Sequence, residues 1–132
     1  MKNPFKIGDT KTYQTTVSED KLAVFDAGMV HPLYSTFALA KDAEWVSRLF
    51  VLEMLEEGEE GIGSYVTVNH VSPALLNAKI TLIAKLTAVV NNVIECEYQA
   101  FCHQRLLAEG HTTQKILVKA KFYDYLKRLE NQ

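Results

Sequence analysis

The stretch from Ser35 to Gly58, STFALAKDAEWVSRLFVLEMLEEG, limits what this chain can become more than any other. Leu39, Ala43, Val46, Phe50 and Met54 recur at three- and four-residue steps, which puts them on one face of a helix. Phe37, Trp45, Leu49, Val51, Leu52 and Leu55 widen that face beyond an ordinary amphipathic stripe, so the helix is expected to be largely enclosed. Ser35 or Thr36 can cap its start, because a short side-chain oxygen satisfies a backbone N–H that the helix leaves orphaned. Gly58 offers a stop. No other part of the chain carries a helical period of this length.

The remaining segments alternate instead. TKTYQTTVS, from Thr10, is rich in threonine and reads as a first strand. The residues from Lys21 to His31 read as a connection, punctuated by Gly28 and Pro32. After the helix, GSYVTVNHV puts Val66, Val68 and His70 on one face, with Tyr65, Thr67 and Asn69 on the other. AKITLIAKLTAVV buries Ile80, Leu82, Ala84, Leu86 and Ala88. Asn91-Asn92 is a hairpin turn, since asparagine tolerates positive φ. VIECEYQAFCH follows with Ile94, Cys96, Tyr98, Ala100 and Cys102 inward. The last strand, LLAEGHTTQKILVKAKF, is expected to bulge or turn at Gly110, and the tail to form a short helix or fray.

A sheet with one apolar face needs a cover. The long helix is the only one on offer. The expectation is an α+β architecture in which an antiparallel meander wraps one long central helix. One helix cannot hide five strands and their edges, so a second copy is expected at the edges, giving a homodimer or higher homo-oligomer.

At 132 residues the chain is expected to form one domain over 1–132. A net charge of -2 with scattered basic residues gives no attraction to nucleic acid or to an acidic membrane surface. Lys119, Lys121, Lys127 and Arg128 read as a solvated tail. The opening residues carry no signal-peptide pattern, and no window reaches the roughly 18 apolar residues of a membrane span. Cys96 and Cys102, on one strand, would stand about 20 Å apart, beyond disulfide reach. Reduced, buried thiols and a cytoplasmic location are expected. No CxxC or HxxxH spacing accompanies them, so neither a metal nor another cofactor is expected.

Two short runs carry a resemblance. STFALAKDAEW, followed by GEEGIGSYVTVNHVSPAL, is similar to the fluoroacetyl-CoA thioesterase-like branch of the hotdog-fold thioesterases. The likeness spans about residues 30–118. It implies the hotdog fold, an acyl-CoA substrate, dimers or higher oligomers, and a catalytic group of Thr36, Glu44 and His70. The branch's strand-start glycine falls on Gly63, beside Ser64, and Phe37 follows the threonine directly. Where the branch's fluoroacetate-specific member carries an arginine in the last strand after a glycine, this chain has Gln114, with Lys115 its nearest basic neighbour. The reaction class therefore transfers better than the acyl group. Phe37, Gly63, Ser64 and Gln114 are the expected substrate-binding residues.

The chemistry fits the residue types. Imidazoles ordinarily titrate at about 6.5, so a neutral His70 can take up a proton. Glu44 can orient His70 or polarise water, and Thr36 can be nucleophile or water-positioning hydroxyl. Backbone N–H groups at Gly63 or at the helix start can stabilise the thioester oxygen. Thr36 and Glu44 stand about 12 Å apart along a helix, so either Thr36 folds back or the acting set draws on a second subunit. Taken singly, Thr36 reads as a cap and His70 as a strand-end residue. Glu44, on an apolar helix, needs a partner. His31, His103 and His111 are expected at the surface or rim.

Two alternatives stand beside this reading. DAGMVH gives Asp26 and His31 the spacing of hotdog-fold enoyl-CoA hydratases, without the asparagine and proline that such enzymes place between them. A non-catalytic acyl-CoA binding module would use the same apolar slot with no turnover.

Overall fold

The computed structural model describes residues 1–132. Strand β1 (Thr10–Thr16) leads through a 3-10 turn at Glu19–Lys21 into β2 (Leu22–Phe25) and β3 (Gly28–Tyr34). Helix α1 (Thr36–Met54) follows, then β4 (Glu59–Val66), β5 (Asn69–His70), β6 (Lys79–Val90), β7 (Val93–Cys102), β8 (Arg105–Val118) and helix α2 (Lys119–Leu129). The main sheet runs β1-β6-β7-β8-β4, with β5 also pairing β8, and every pairing is antiparallel. Only β6, β7 and β8 form a meander. β1 and β4 close its two sides from earlier in the chain.

The sheet curls around α1. Leu39, Ala43, Val46, Phe50, Val51 and Met54 have no exposed surface, and they meet Ile80, Leu82, Ala84, Leu86, Ile94 and Ala100 from the sheet. Burying a side chain the size of leucine or phenylalanine stabilises by about 1.5–3 kcal/mol, so this stripe is the main adhesive between helix and sheet. The opposite side of α1 is not enclosed: Phe37, Trp45 and Leu52 remain exposed. The extra apolar width read from the sequence lies here.

Several local features differ from the sequence reading. The residues from Leu22 to Tyr34 form a two-stranded ribbon, not a loop. Pro32 is admitted because a ribbon strand has a free edge, where a missing N–H costs no ladder bond. The expected strand through His70 is cut at Thr67 and Val68 into β4 and β5. Tyr98 causes part of that break, since its hydroxyl donates to the Thr67 carbonyl at 2.6 Å. Gly110 does not interrupt β8, which pairs with β7 straight through it. A Cβ at Gly110 would lie 2.1 Å from the Thr67 carbonyl oxygen, so glycine is there for close approach. The turn at Asn91 is as expected, with φ +54°. The tail is helical, and Ser35 rather than Thr36 caps α1, accepting from the Ala38 N–H.

Neither cysteine is in a disulfide, and both are buried. Burial pushes the Cys96 thiol up to about 11, against hydrogen bonds with Ser47 and Thr112 that pull it down.

The contact at Gly110 is with backbone, which cannot swing away. Gly110→Ala is expected to destabilise the protein by about 1–3 kcal/mol, read as a lower urea midpoint at unchanged m-value.

Candidate active site

The start of α1 brings two of the sequence-derived residues together. Thr36 is the first helical residue, and its side chain is exposed at the end of the ribbon. β5 places His70 opposite, by pairing Asn69 with Glu109 and His70 with Ala108. Thr36 Oγ1 and His70 Nδ1 lie 3.0 Å apart. His70 Nε2 is enclosed and has no hydrogen-bond partner. A cavity of about 310 Å³ opens over the pair, lined also by Ala23, His31, Leu33 and Val71. His31 is therefore at the rim of this cavity, while Asp26 lies in the exposed ribbon turn.

The loop after His70 is fixed from β8. The N–H groups of Val71 and Ser72 both donate to the Leu107 carbonyl, and Ser72 Oγ donates to that of Leu106. Arg105 adds hydrogen bonds to Ser72 Oγ and to the Pro73 carbonyl. The first-turn amides of Thr36 and Phe37 have no intrahelical acceptor, as at any helix start, and carry the positive end of the helix dipole.

Glu44 belongs to another neighbourhood. It lines a separate cavity of about 790 Å³ with Phe37, Lys41, Trp45 and Arg48. Its carboxylate lies directly against β4: a Cβ at Gly63 would come within 1.5 Å of Glu44 Oε1. Within one chain, then, Thr36 meets His70 and Glu44 meets Gly63. Ser64 sits at a register shift in β4, its hydroxyl donating to the Thr113 carbonyl. Phe37 is exposed and packs edge-on against Phe25 of the ribbon, ring centres 5.5 Å apart. Gln114 is 2% exposed, donates to the Glu44 main-chain carbonyl at 3.0 Å, and leaves its own Oε1 without a partner.

The sequence reading missed a cluster beside the pair. Asp42 is 5% exposed and accepts from Tyr34 Oη at 2.5 Å and from Lys21 Nζ at 2.9 and 3.1 Å. Burial, then the bond to Asp42, raise the Tyr34 phenol well above its ordinary range. The signal was present, because a carboxylate on an apolar helix needs a partner. That argument was applied to Glu44, and it fits Asp42 better.

A curled antiparallel sheet holding one long helix is the hotdog fold, and the chain shares it with solved thioesterases. A Thermus thermophilus hypothetical protein of the thioesterase superfamily is 34% identical, at a TM-score of 0.92, over 97% of this chain and 95% of that one. The fluoroacetyl-CoA thioesterase FlK has the same fold at 17% identity, with a TM-score of 0.87 over 96% and 98% of the two chains. A hot-dog-like protein from Thermanaerovibrio acidaminovorans superposes at 0.85 with 17% identity, over 94% of this chain and 92% of that one. No curated protein matches. The model of the fluoroacetyl-CoA-specific thioesterase family matches residues 17–120, and the chain belongs to that family. It is an acyl-CoA thioesterase, a hydrolase.

The Gly63 contact is with the end of a flexible side chain, so Gly63→Ala is expected to displace the Glu44 carboxylate and leave the fold intact. Thioester turnover should fall on the order of tenfold at a nearly unchanged melting temperature, a loss of positioning and not of folding.

Proposed function

We propose that the chain hydrolyses a small or medium acyl-CoA thioester to the free acid and CoA, with His70 as base and Thr36 and Glu44 assisting. The 3.0 Å contact between Thr36 Oγ1 and His70 Nδ1 carries this reading. It is the spacing of a hydroxyl and the base that takes its proton. Thr36 Oγ1 adds to the thioester carbonyl carbon while its proton passes to Nδ1. The first-turn amides of α1 face the oxygen that gains charge. The C–S bond then breaks, and the proton on Nδ1 leaves with the CoA sulfur. Water enters by the reverse sequence: its oxygen bonds to the acyl carbon as its proton passes to Nδ1, and that proton moves on to Thr36 Oγ1 as the bond from Oγ1 to the acyl carbon breaks and the acid leaves. Phe37, Gly63, Ser64 and Gln114 border the acyl group in this reading.

Glu44 joins through a second copy. Thr36 and Glu44 open into different cavities of one chain, and the exposed residues of α1 adjoin the Glu44 side. β4 pairs β8 on one side only, and it leaves Ile62, Tyr65 and Val66 exposed. A homodimer that covers this edge is the arrangement that brings Glu44 of the partner subunit toward Thr36 and His70. No helix is long and apolar enough to cross a membrane. The two free thiols support a reducing compartment, the cytoplasm.

The experiment is thiol release from short, branched, long and aromatic acyl-CoAs by wild type and His70→Ala. Turnover of one class, lowered about 100-fold or more by His70→Ala in a folded protein, is expected. Undiminished turnover would remove His70 from the reaction. Saturable binding with no turnover across the panel would leave an acyl-CoA binding module.

The composite site has its own measurement. Glu44→Ala and His70→Ala proteins, each nearly inactive, are unfolded together and refolded. Random pairing gives half heterodimers with one intact site of two, so about one quarter of wild-type activity should return. Mixtures as inactive as their parents would place all the acting groups in one chain.

A further inference from the structure

The buried polar cluster of Lys21, Tyr34 and Asp42 is not used by the chemistry above, yet it spans the start of α1: Tyr34 lines the Thr36–His70 cavity, and Lys21 and Asp42 line the cavity of Glu44. Tyr34 lies two residues before Thr36, and Asp42 lies on the helix six residues after it. Tyr34 is 2% exposed, and its hydroxyl donates to Asp42 Oδ2. Lys21 Nζ donates to both Asp42 oxygens and, at 2.8 Å, to Thr15 Oγ1 of β1. The Lys21 carbonyl accepts from the Ser35 N–H at 2.9 Å.

The same short segment is tied to the chain that carries His70. The Tyr34 N–H donates to the Ala74 carbonyl at 2.9 Å, and Leu33 bridges Leu75. Residues on both sides of Thr36 are thus fixed to three separate parts of the fold: β1, the 3-10 turn and the loop that follows His70.

A buried ion pair is weak evidence for stability, because apolar side chains of similar volume commonly stabilise as much. What such a pair adds is direction. The carboxylate has one favourable arrangement, in which the lysine and the phenol both reach it. Apolar packing would let the β3–α1 junction slide or rotate by a fraction of an ångström, and a hydroxyl–imidazole bond is sensitive to that scale.

We propose that Lys21, Asp42 and Tyr34 are positioning residues, whose network holds Thr36 Oγ1 within hydrogen-bond reach of His70 Nδ1. The inference rests on the thioesterase reading of Thr36 and His70, and two measurements separate its failure from the failure of that reading. The variants are Asp42→Asn and Tyr34→Phe. The second leaves the Lys21–Asp42 pair in place and removes a single hydrogen bond, so it carries the test if the first fails to fold.

In thioester turnover, each variant is expected to lower kcat about tenfold with KM within about twofold. In a Thr36→Ala background the same changes should lower kcat by no more than about twofold, because the hydroxyl they position is gone. Equal losses in both backgrounds would overturn the proposal and leave the network a structural one.

The second measurement needs no substrate. The Nδ1 nitrogen resonance of His70 is recorded by NMR in the unliganded protein. Tyr34→Phe is expected to displace it in the same direction as Thr36→Ala, with the His111 ring unchanged. A His70 signal at its wild-type position in folded Tyr34→Phe overturns the proposal whatever the turnover. A displaced signal in a protein that hydrolyses no acyl-CoA supports the positioning and overturns the substrate reading alone.

Discussion

Burial of one stripe of α1 in the curl of the sheet is the constraint on which everything else here depends. Leu39, Ala43, Val46, Phe50 and Met54 are at zero exposure, and the inward residues of β6 and β7 surround them. Once that stripe is fixed, the rotation of α1 is fixed as well. Thr36 must then emerge at the end of the helix near β5, and Glu44 must face β4. Neither residue chooses its surroundings independently, because a rotation that moved one would expose the stripe.

The sheet meets this demand with small adjustments at the site end. β4 and β5 would form one strand if the ladder ran on regularly. Instead Tyr98 holds the Thr67 carbonyl, Gly110 gives that carbonyl room, and the chain re-enters the ladder at Asn69. That brief departure turns His70 toward the start of α1. On the other side, the 3-10 turn and the β2–β3 ribbon bring Tyr34 and Lys21 against Asp42, with the Ser35 N–H on the Lys21 carbonyl. The paired side chains therefore sit where two irregular segments meet, and the regular elements hold those segments in place.

Much of the architecture was legible in the residue pattern. The helical period of Leu39 through Met54 and the alternation of Ile80 through Leu86 each admit one reading. The Asn91 turn did too, since few residues tolerate positive φ. The ribbon from Leu22 to Tyr34 was not legible, because Pro32 and Gly28 signal a loop when the free edge is unseen. Gly110 read as a bulge because a glycine in a strand has two explanations, a bend in its own backbone or the approach of another. Only the position of Thr67 separates them. The Asp42 cluster was legible only in half: a carboxylate on an apolar helix calls for a partner, but nothing local says that Lys21 and Tyr34 supply it.

The sequence by itself determined the long helix, the strands β1 and β6 to β8 and the faces they bury, and it offered Thr36, Glu44, His70 and Gly63 as candidates. These follow from periods of two and of about 3.6 residues, which are local geometry, and from short runs of residues. Only the tertiary structure decided which of these residues touch. It set Thr36 against His70, Glu44 against Gly63, and Gln114 beneath the helix with its amide on the Glu44 carbonyl. Such contacts depend on the curl of the sheet and the rotation of α1 within it. Both are fixed by packing among residues remote in sequence, which no local pattern encodes.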